Sequence, residues 1–212
     1  MRKVSVASFL VLAFAAVNAQ AAAVTLINDG FEASWTGTTL VGSDGNYTFN
    51  YEPTGPNVGW TFGTGTGVAT SSFLPAQEGS QYAFLQNATG PLSQQFNVSQ
   101  SGNFDLSFQY ALRPGYASGQ VLQVSLSDSN GVLANTTFST QQNVWVAGNL
   151  SLGVLNAGNY TISFAGVTGN AGDTTVFLDS VAVSAVPEPT SALMLSLGLG
   201  GLLLARRRNT NV

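Results

Sequence analysis

Carboxylates are almost the whole chemical repertoire of this 212-residue chain. Histidine and cysteine are absent and the single lysine is Lys3, so no Ser-His-Asp triad, Cys-His pair, Schiff-base lysine or His/Cys zinc site can be assembled. Catalysis by acids alone would need two of Glu32, Glu52, Glu78, Asp105 and Asp173 to face each other across a cleft at about 5 to 9.5 Å. No short motif groups any two of them, and the expectation is a protein that is not an enzyme. A second chemically distinct group closes the chain. Pro187, Glu188 and Pro189 set a carboxylate between two prolines, the apolar run 192–205 follows, and Arg206, Arg207 and Arg208 come next. The prolines stop a regular element from running through and leave an extended, accessible peptide. The run lies near the low end of the roughly 17 to 25 apolar residues that cross a bilayer, and the arginines would hold its far end on the cytoplasmic side.

This order of parts resembles the PEP-CTERM sorting tail of Gram-negative bacteria. The resemblance implies an exported protein that rests transiently in the inner membrane through a C-terminal transmembrane sorting helix. An exosortase-type transpeptidase would then process it near Pro-Glu-Pro, releasing or attaching it at the cell surface or in the extracellular matrix. A plain single-span anchor is the alternative. At the other end Arg2 and Lys3 precede the apolar segment 4–17, and small residues follow through Ala23. That is the pattern of a secretory signal peptide cut after Ala21 or Ala23. The expected organisation is a signal peptide at 1–23, one domain at 24–186 and the sorting tail at 187–212.

Within 24–186 there are nine acids and one cation, Arg113. Such a field excludes nucleic acid, whose phosphates require clustered Lys and Arg, and disfavours an anionic polysaccharide. Without disulfides, stability must come from packing or from a bound ion.

The elements that must position these residues read as strands. In 103–112, Phe104, Leu106, Phe108 and Tyr110 alternate with polar neighbours, the period of two that buries one face of a strand. Further strands are expected at 24–27, 47–51, 59–62, 80–86, 92–98, 121–128, 131–138, 144–150, 159–167 and 174–183. Gly, Asn and Asp turns separate them, among them the glycine-threonine run 63–67. Many short strands with such turns predict an all-β protein, a single β-sandwich without internal repeats.

The domain opens LINDGFE, 26–32, and closes VFLDSVAV, 176–183. This pairing resembles the galactose-binding-like jelly rolls that include many carbohydrate-binding modules. Asn28, Gly30, Phe31 and Glu32 match the opening, and Phe177, Asp179 and Val181 the close. Asp29 before Gly30 and Ser180 after Asp179 depart from the pattern. The resemblance implies a jelly roll and a structural calcium ion between the terminal strands, with Asp29, Glu32 and Asp179 as its side-chain ligands. The other reading of those acids is that they cap turns or face water. It also places Trp145 between the sheets. Tyr82 and Phe84, sharing one face of a strand, are expected in the core.

Sugar binding requires aromatic faces for pyranose rings and planar polar groups for hydroxyls. Trp35, Tyr47, Tyr51, Trp60 and Tyr116 stand in or beside expected loops, and Arg113, Glu78 and Gln81 offer polar grip. Arg113 has the competing reading of a structural ion pair with Asp105 or Glu78. The expected partner is an extracellular polysaccharide, against the alternative of a structural surface protein that self-associates through its sheet edges.

Overall fold

The computed structural model describes residues 24–43, 45–71, 73–87, 90–115, 121–139, 143–167, 174–186 and 198. The signal segment 1–23, Tyr116, Pro187, Glu188, Pro189, Arg206, Arg207 and Arg208 therefore lie outside the described residues, as does the apolar run apart from Gly198.

Twelve strands are present among the described residues: β1 Leu40–Val41, β2 Thr48–Tyr51, β3 Thr61–Phe62, β4 Thr66–Thr70, β5 Gln81–Gln86, β6 Leu92–Val98, β7 Gly102–Leu112, β8 Val121–Asp128, β9 Gly131–Ser139, β10 Val146–Leu155, β11 Gly158–Gly166 and β12 Thr175–Val186. They form a seven-stranded sheet in the order β1-β2-β4-β5-β12-β7-β10 and a five-stranded sheet in the order β3-β6-β11-β8-β9. Every neighbouring pair is antiparallel. From β5 onward the chain passes repeatedly between the sheets, so the last strand closes the middle of the larger one.

Alternation explains the core. Phe104, Leu106, Phe108 and Tyr110 of β7 point between the sheets, where they meet Leu122, Val124 and Leu126 of β8 and Tyr160, Ile162 and Phe164 of β11. Phe108 stands edge-on to Phe164 at 5.3 Å between ring centroids. Burying each large apolar side chain contributes roughly 1.5–3 kcal/mol, so this layer can stabilise the fold without disulfides. Among the described residues, both sheets and their packed clusters lie within 24–186.

The structure corrects the expected elements at three places. Residues 24–27 are not a strand, because Ile27 gives its N–H to Gln94 Oε1 at 2.7 Å and takes Gln94 Nε2 on its carbonyl at 2.8 Å. A side-chain amide thus replaces the neighbouring backbone. The glycine-threonine run is only partly a turn. From Thr66 it becomes β4, an interior strand between β2 and β5. Gly67 is required there, since a methyl group on it would stand 2.5 Å from Phe84 Cζ and 2.2 Å from the Asn50 carbonyl oxygen. Finally, Trp145 precedes β10, which extends to Leu155 through a bulge between Ser151 and Gly153.

A bulge also interrupts β12 between Asp179 and Ala182. Pairing with β5 stops at Leu178, Ser180 adopts φ +51°, and the strand continues along β7 to Val186.

Candidate functional site

Around β4, β5 and the adjoining ends of β7 and β12, the seven-stranded sheet is apolar on both faces. β5 buries Ala83 and Leu85 toward the other sheet, while Tyr82 and Phe84 project from the opposite face. β12 does the same with Val176 and Leu178 against Phe177. The outer face therefore carries a second cluster of Ala69, Tyr82, Phe84, Ala111 and Phe177, against which Phe49, Phe73, Leu74, Ala76 and Trp145 pack. Tyr82 and Phe84 are buried as expected, but in this outer layer and not between the sheets. Trp145 belongs there too. It is half-buried, 5.7 Å from the Tyr82 ring, and its Nε1 donates to the Pro75 carbonyl at 2.7 Å.

Part of this face stays open as a cavity of about 160 Å³ lined by Tyr47, Phe49, Tyr51, Ala69, Phe73, Phe84, Gln86, Arg113, Thr175 and Phe177. Its rings brace one another: Tyr51 meets Phe84 edge-on at 5.0 Å, Tyr47 meets Phe73 at 4.9 Å, and Phe73 stacks on Phe177 at 6.0 Å. Tyr51 donates its hydroxyl to Gln86 Oε1. The Arg113 guanidinium lies over the Phe73 ring, 4.4 Å from its centroid. Asp105 cannot be its ion-pair partner, because eight residues along an extended strand separate them by about 26 Å. Apolar floor, ring walls and a polar edge are what a sugar ring uses: an aromatic surface for its C–H faces and planar groups for its hydroxyls.

Of the residues proposed from the sequence for such contacts, Tyr47, Tyr51 and Arg113 reach the cavity. Trp60 does not. It is 5% exposed, packs on Phe31 and Phe164, and donates its indole N–H to the Asn28 carbonyl at 2.9 Å, so it belongs to the core. Trp35 packs at the margin of the same core, with its Nε1 3.3 Å from Thr39 Oγ1. Glu78 is exposed, its carboxyl beside Gly30, and Gln81 donates to the Glu32 carbonyl at 3.4 Å; neither lines the cavity. Phe49, Phe73, Phe84, Gln86, Thr175 and Phe177 were missed. The signal for two of them was present in the continuous apolar runs YAFL and VFL, which mark strands covered on both faces.

The acids expected to hold calcium lie around the β12 bulge. The opening segment does run beside the closing strand, with Val181 N donating to the Asp29 carbonyl at 3.0 Å. Asp179 is fully buried, and its Oδ2 accepts the N–H groups of Gln77 at 2.7 Å and Glu78 at 3.2 Å while Oδ1 accepts that of Ser180 at 2.7 Å. Glu32 Oε1 accepts Ser80 N at 2.9 Å and Gln81 N at 2.7 Å. Among the described residues no three acidic side chains gather as a metal site. These hydrogen bonds staple the 77–81 segment to the terminal elements, the turn-capping role that was the alternative reading of these acids. Burial pushes the Asp179 carboxyl up from 3.8 to about 6, against the pull of its three N–H donors and with some help from the charge of Glu32.

Comparison with known proteins places the two parts of the chain. Residues 185–209 match the PEP-CTERM protein-sorting motif. Its first two residues, Ala185 and Val186, are still paired in β12 with Phe104 and Asn103. A cyclase from Fischerella sp. TAU, solved with 4-(1H-indol-3-yl)butan-2-one, is similar in structure over 80% of this chain and 100% of its own, at 16% identity and a TM-score of 0.53. TmCBM61 in complex with β-1,4-galactotriose is similar over 60% of this chain and 88% of its own, at 17% identity and a TM-score of 0.43. The CBM22-1 xylan-binding domain of Paenibacillus barcinonensis Xyn10C is similar over 74% of this chain and 100% of its own, at 18% identity and a TM-score of 0.41. No curated protein matches the chain. The described residues define an all-β sandwich of two antiparallel sheets. The chain carries a PEP-CTERM motif, the mark of an exported protein sorted to the cell surface.

Proposed function

We propose that this is a non-catalytic surface or extracellular-matrix protein that binds polysaccharide through the outer face of its larger sheet. An exosortase-type transpeptidase would sort it after a transient stay in the inner membrane. The observation that carries the binding reading is the aromatic cavity with Gln86, Arg113 and Thr175 among its lining residues. Geometry also supports presentation outward. Thr175, where β12 begins, lines the cavity, whereas Val186, where it ends, adjoins the tail about 35 Å further along the strand. The test is retention of purified residues 24–186 in native gels cast with soluble polysaccharides. Mobility unchanged by every neutral polymer, at concentrations that retard a known binding module, would remove the reading.

One observation favours the self-association reading in parallel. β9 is an edge strand, and Val132 and Leu133 on it are 66% and 51% exposed. Exposed apolar edges invite strand addition by another copy. Light scattering that rises with protein concentration, and falls when Val132 and Leu133 are changed to lysine, is the outcome this reading requires.

A further inference from the structure

We propose that the cavity takes one sugar ring at the end of a glycan chain, and not a run of residues within one. This rests on the glycan reading above and adds the class of ligand.

The outer face of a seven-stranded sheet is wide enough for an extended groove crossing every strand, but a covering segment fills its middle beside the cavity. Trp145, tied to the Pro75 carbonyl, holds Phe73, Leu74 and Ala76 down on the middle of the sheet. Ser71 N donates to the Ser80 carbonyl at 2.8 Å and Gln77 N to Asp179 Oδ2 at 2.7 Å, so the covering segment is pinned at both ends. Beneath it Tyr82 and Ala111 are 0% exposed. Among the described residues, a chain approaching the cavity from β10 therefore meets the packed side chains of this segment.

What remains is short. About 160 Å³ lies well below the roughly 300–1,000 Å³ of pockets that enclose drug-sized ligands, and suits a single six-membered ring. Its floor is Ala69 with Phe84 and Phe177, and the Tyr47–Phe73 edge contact at 4.9 Å walls one side. The polar groups gather where strands terminate: Gln86 ends β5, Arg113 follows the last residue of β7, and Thr175 begins β12. A ring entering there rests its C–H face on phenylalanine and turns its hydroxyls toward those three residues. Ring, wall and covering segment together leave no described space for the next sugar on the far side.

The test uses the 24–186 domain with methyl glycosides of galactose, glucose, mannose and xylose, and their β-1,4-linked oligomers of two to six residues, by titration calorimetry. The expected result is an affinity that stays within about twofold from the first or second residue onward, where each additional productive subsite would raise it severalfold or more. Limited endo-hydrolysis of a bound polymer should raise capacity in proportion to new chain ends without changing affinity. Affinity climbing tenfold or more toward six residues, or capacity that tracks polymer mass, overturns the end-binding proposal while leaving glycan binding intact. Failure of every sugar and polymer to bind removes the glycan reading and this inference with it. Ala69→Leu adds three carbons to the cavity floor. It should abolish binding with the melting temperature unchanged or raised, and binding that survives in a folded variant places the site elsewhere.

Discussion

Replacing Asp179 by asparagine should flatten the dependence of stability on pH. The native carboxyl is held at about 6, against 3.8 when the chain is unfolded, because the buried site at the β12 bulge penalises its charge. Below about pH 4 both states are protonated and the group contributes no penalty. As pH rises from about 4 to 6 the unfolded chain releases the proton and the native state keeps it. Native protein then binds more protons, and stability falls by up to ~1.36 kcal/mol per pH unit. Above about 6 the loss levels off at about 3 kcal/mol. In a domain of this size that corresponds to roughly 6 to 12 °C of melting temperature. Asparagine cannot ionise, but it offers one acceptor oxygen where three N–H groups converge, costing about 1–3 kcal/mol at all pH values. The variant should be the less stable form at pH 4 and should draw level with or pass the natural domain at pH 7. Urea unfolding of both proteins at half-unit steps from pH 4 to 7 reads this directly. Parallel stability curves would refute the claim that burial outweighs the three hydrogen bonds at this carboxylate.

Other outcomes follow from the same geometry. Trp60→Ala should cost about 3–5 kcal/mol, since it empties the space beside Phe31 and Phe164, whereas a ligand-contacting tryptophan would cost far less on thermal melting. Trp145→Ala should loosen the covering segment, seen as faster amide exchange at Ala76 and Gln77 with the β7 amides still protected; unchanged exchange at both would contradict its role as a clamp. Calcium held by Asp29, Glu32 and Asp179 should raise the melting temperature by several degrees and a chelator should reverse the rise, whereas identical melting curves would leave these acids as hydrogen-bond staples alone. Mass spectrometry of the protein from a host with an exosortase should find its C-terminus near 186–190. Alanines at Pro187, Glu188 and Pro189 should leave it full-length in the inner membrane, while an unaltered chain still ending at Val212 there would favour a plain anchor.

Much of this was legible in the sequence because one physical signal was strong. Period-two alternation placed β6 and β8 at their observed bounds and β7 within a residue of its own. It failed where backbone partners are not strands, as at Ile27, and where small residues hide a central strand, as in TGVAT of β4. The site was harder. An aromatic side chain in a strand reads as core on any single-sequence argument, and Phe84 and Phe177 are indeed buried. Whether it faces the second sheet or a covering segment on the other side depends on strand order, which local pattern does not encode. Trp60 and Trp35 were misread for the converse reason. They sit in irregular segments, yet those segments fold back over the core. The sorting tail was legible throughout, since its meaning lies in a linear order of residue types rather than in packing.

The most direct test of the account is retardation of the 24–186 domain in native gels containing neutral polysaccharides, compared with the double variant Tyr51→Ala, Arg113→Ala. Both positions lie on the cavity, and Tyr51 is 38% exposed, so the two changes should remove ligand contacts while far-UV spectra and folding cooperativity are retained. The account predicts that at least one polymer slows the natural domain and leaves the folded variant at its unbound mobility. Equal retardation of both proteins, or of neither by any polymer, would contradict it.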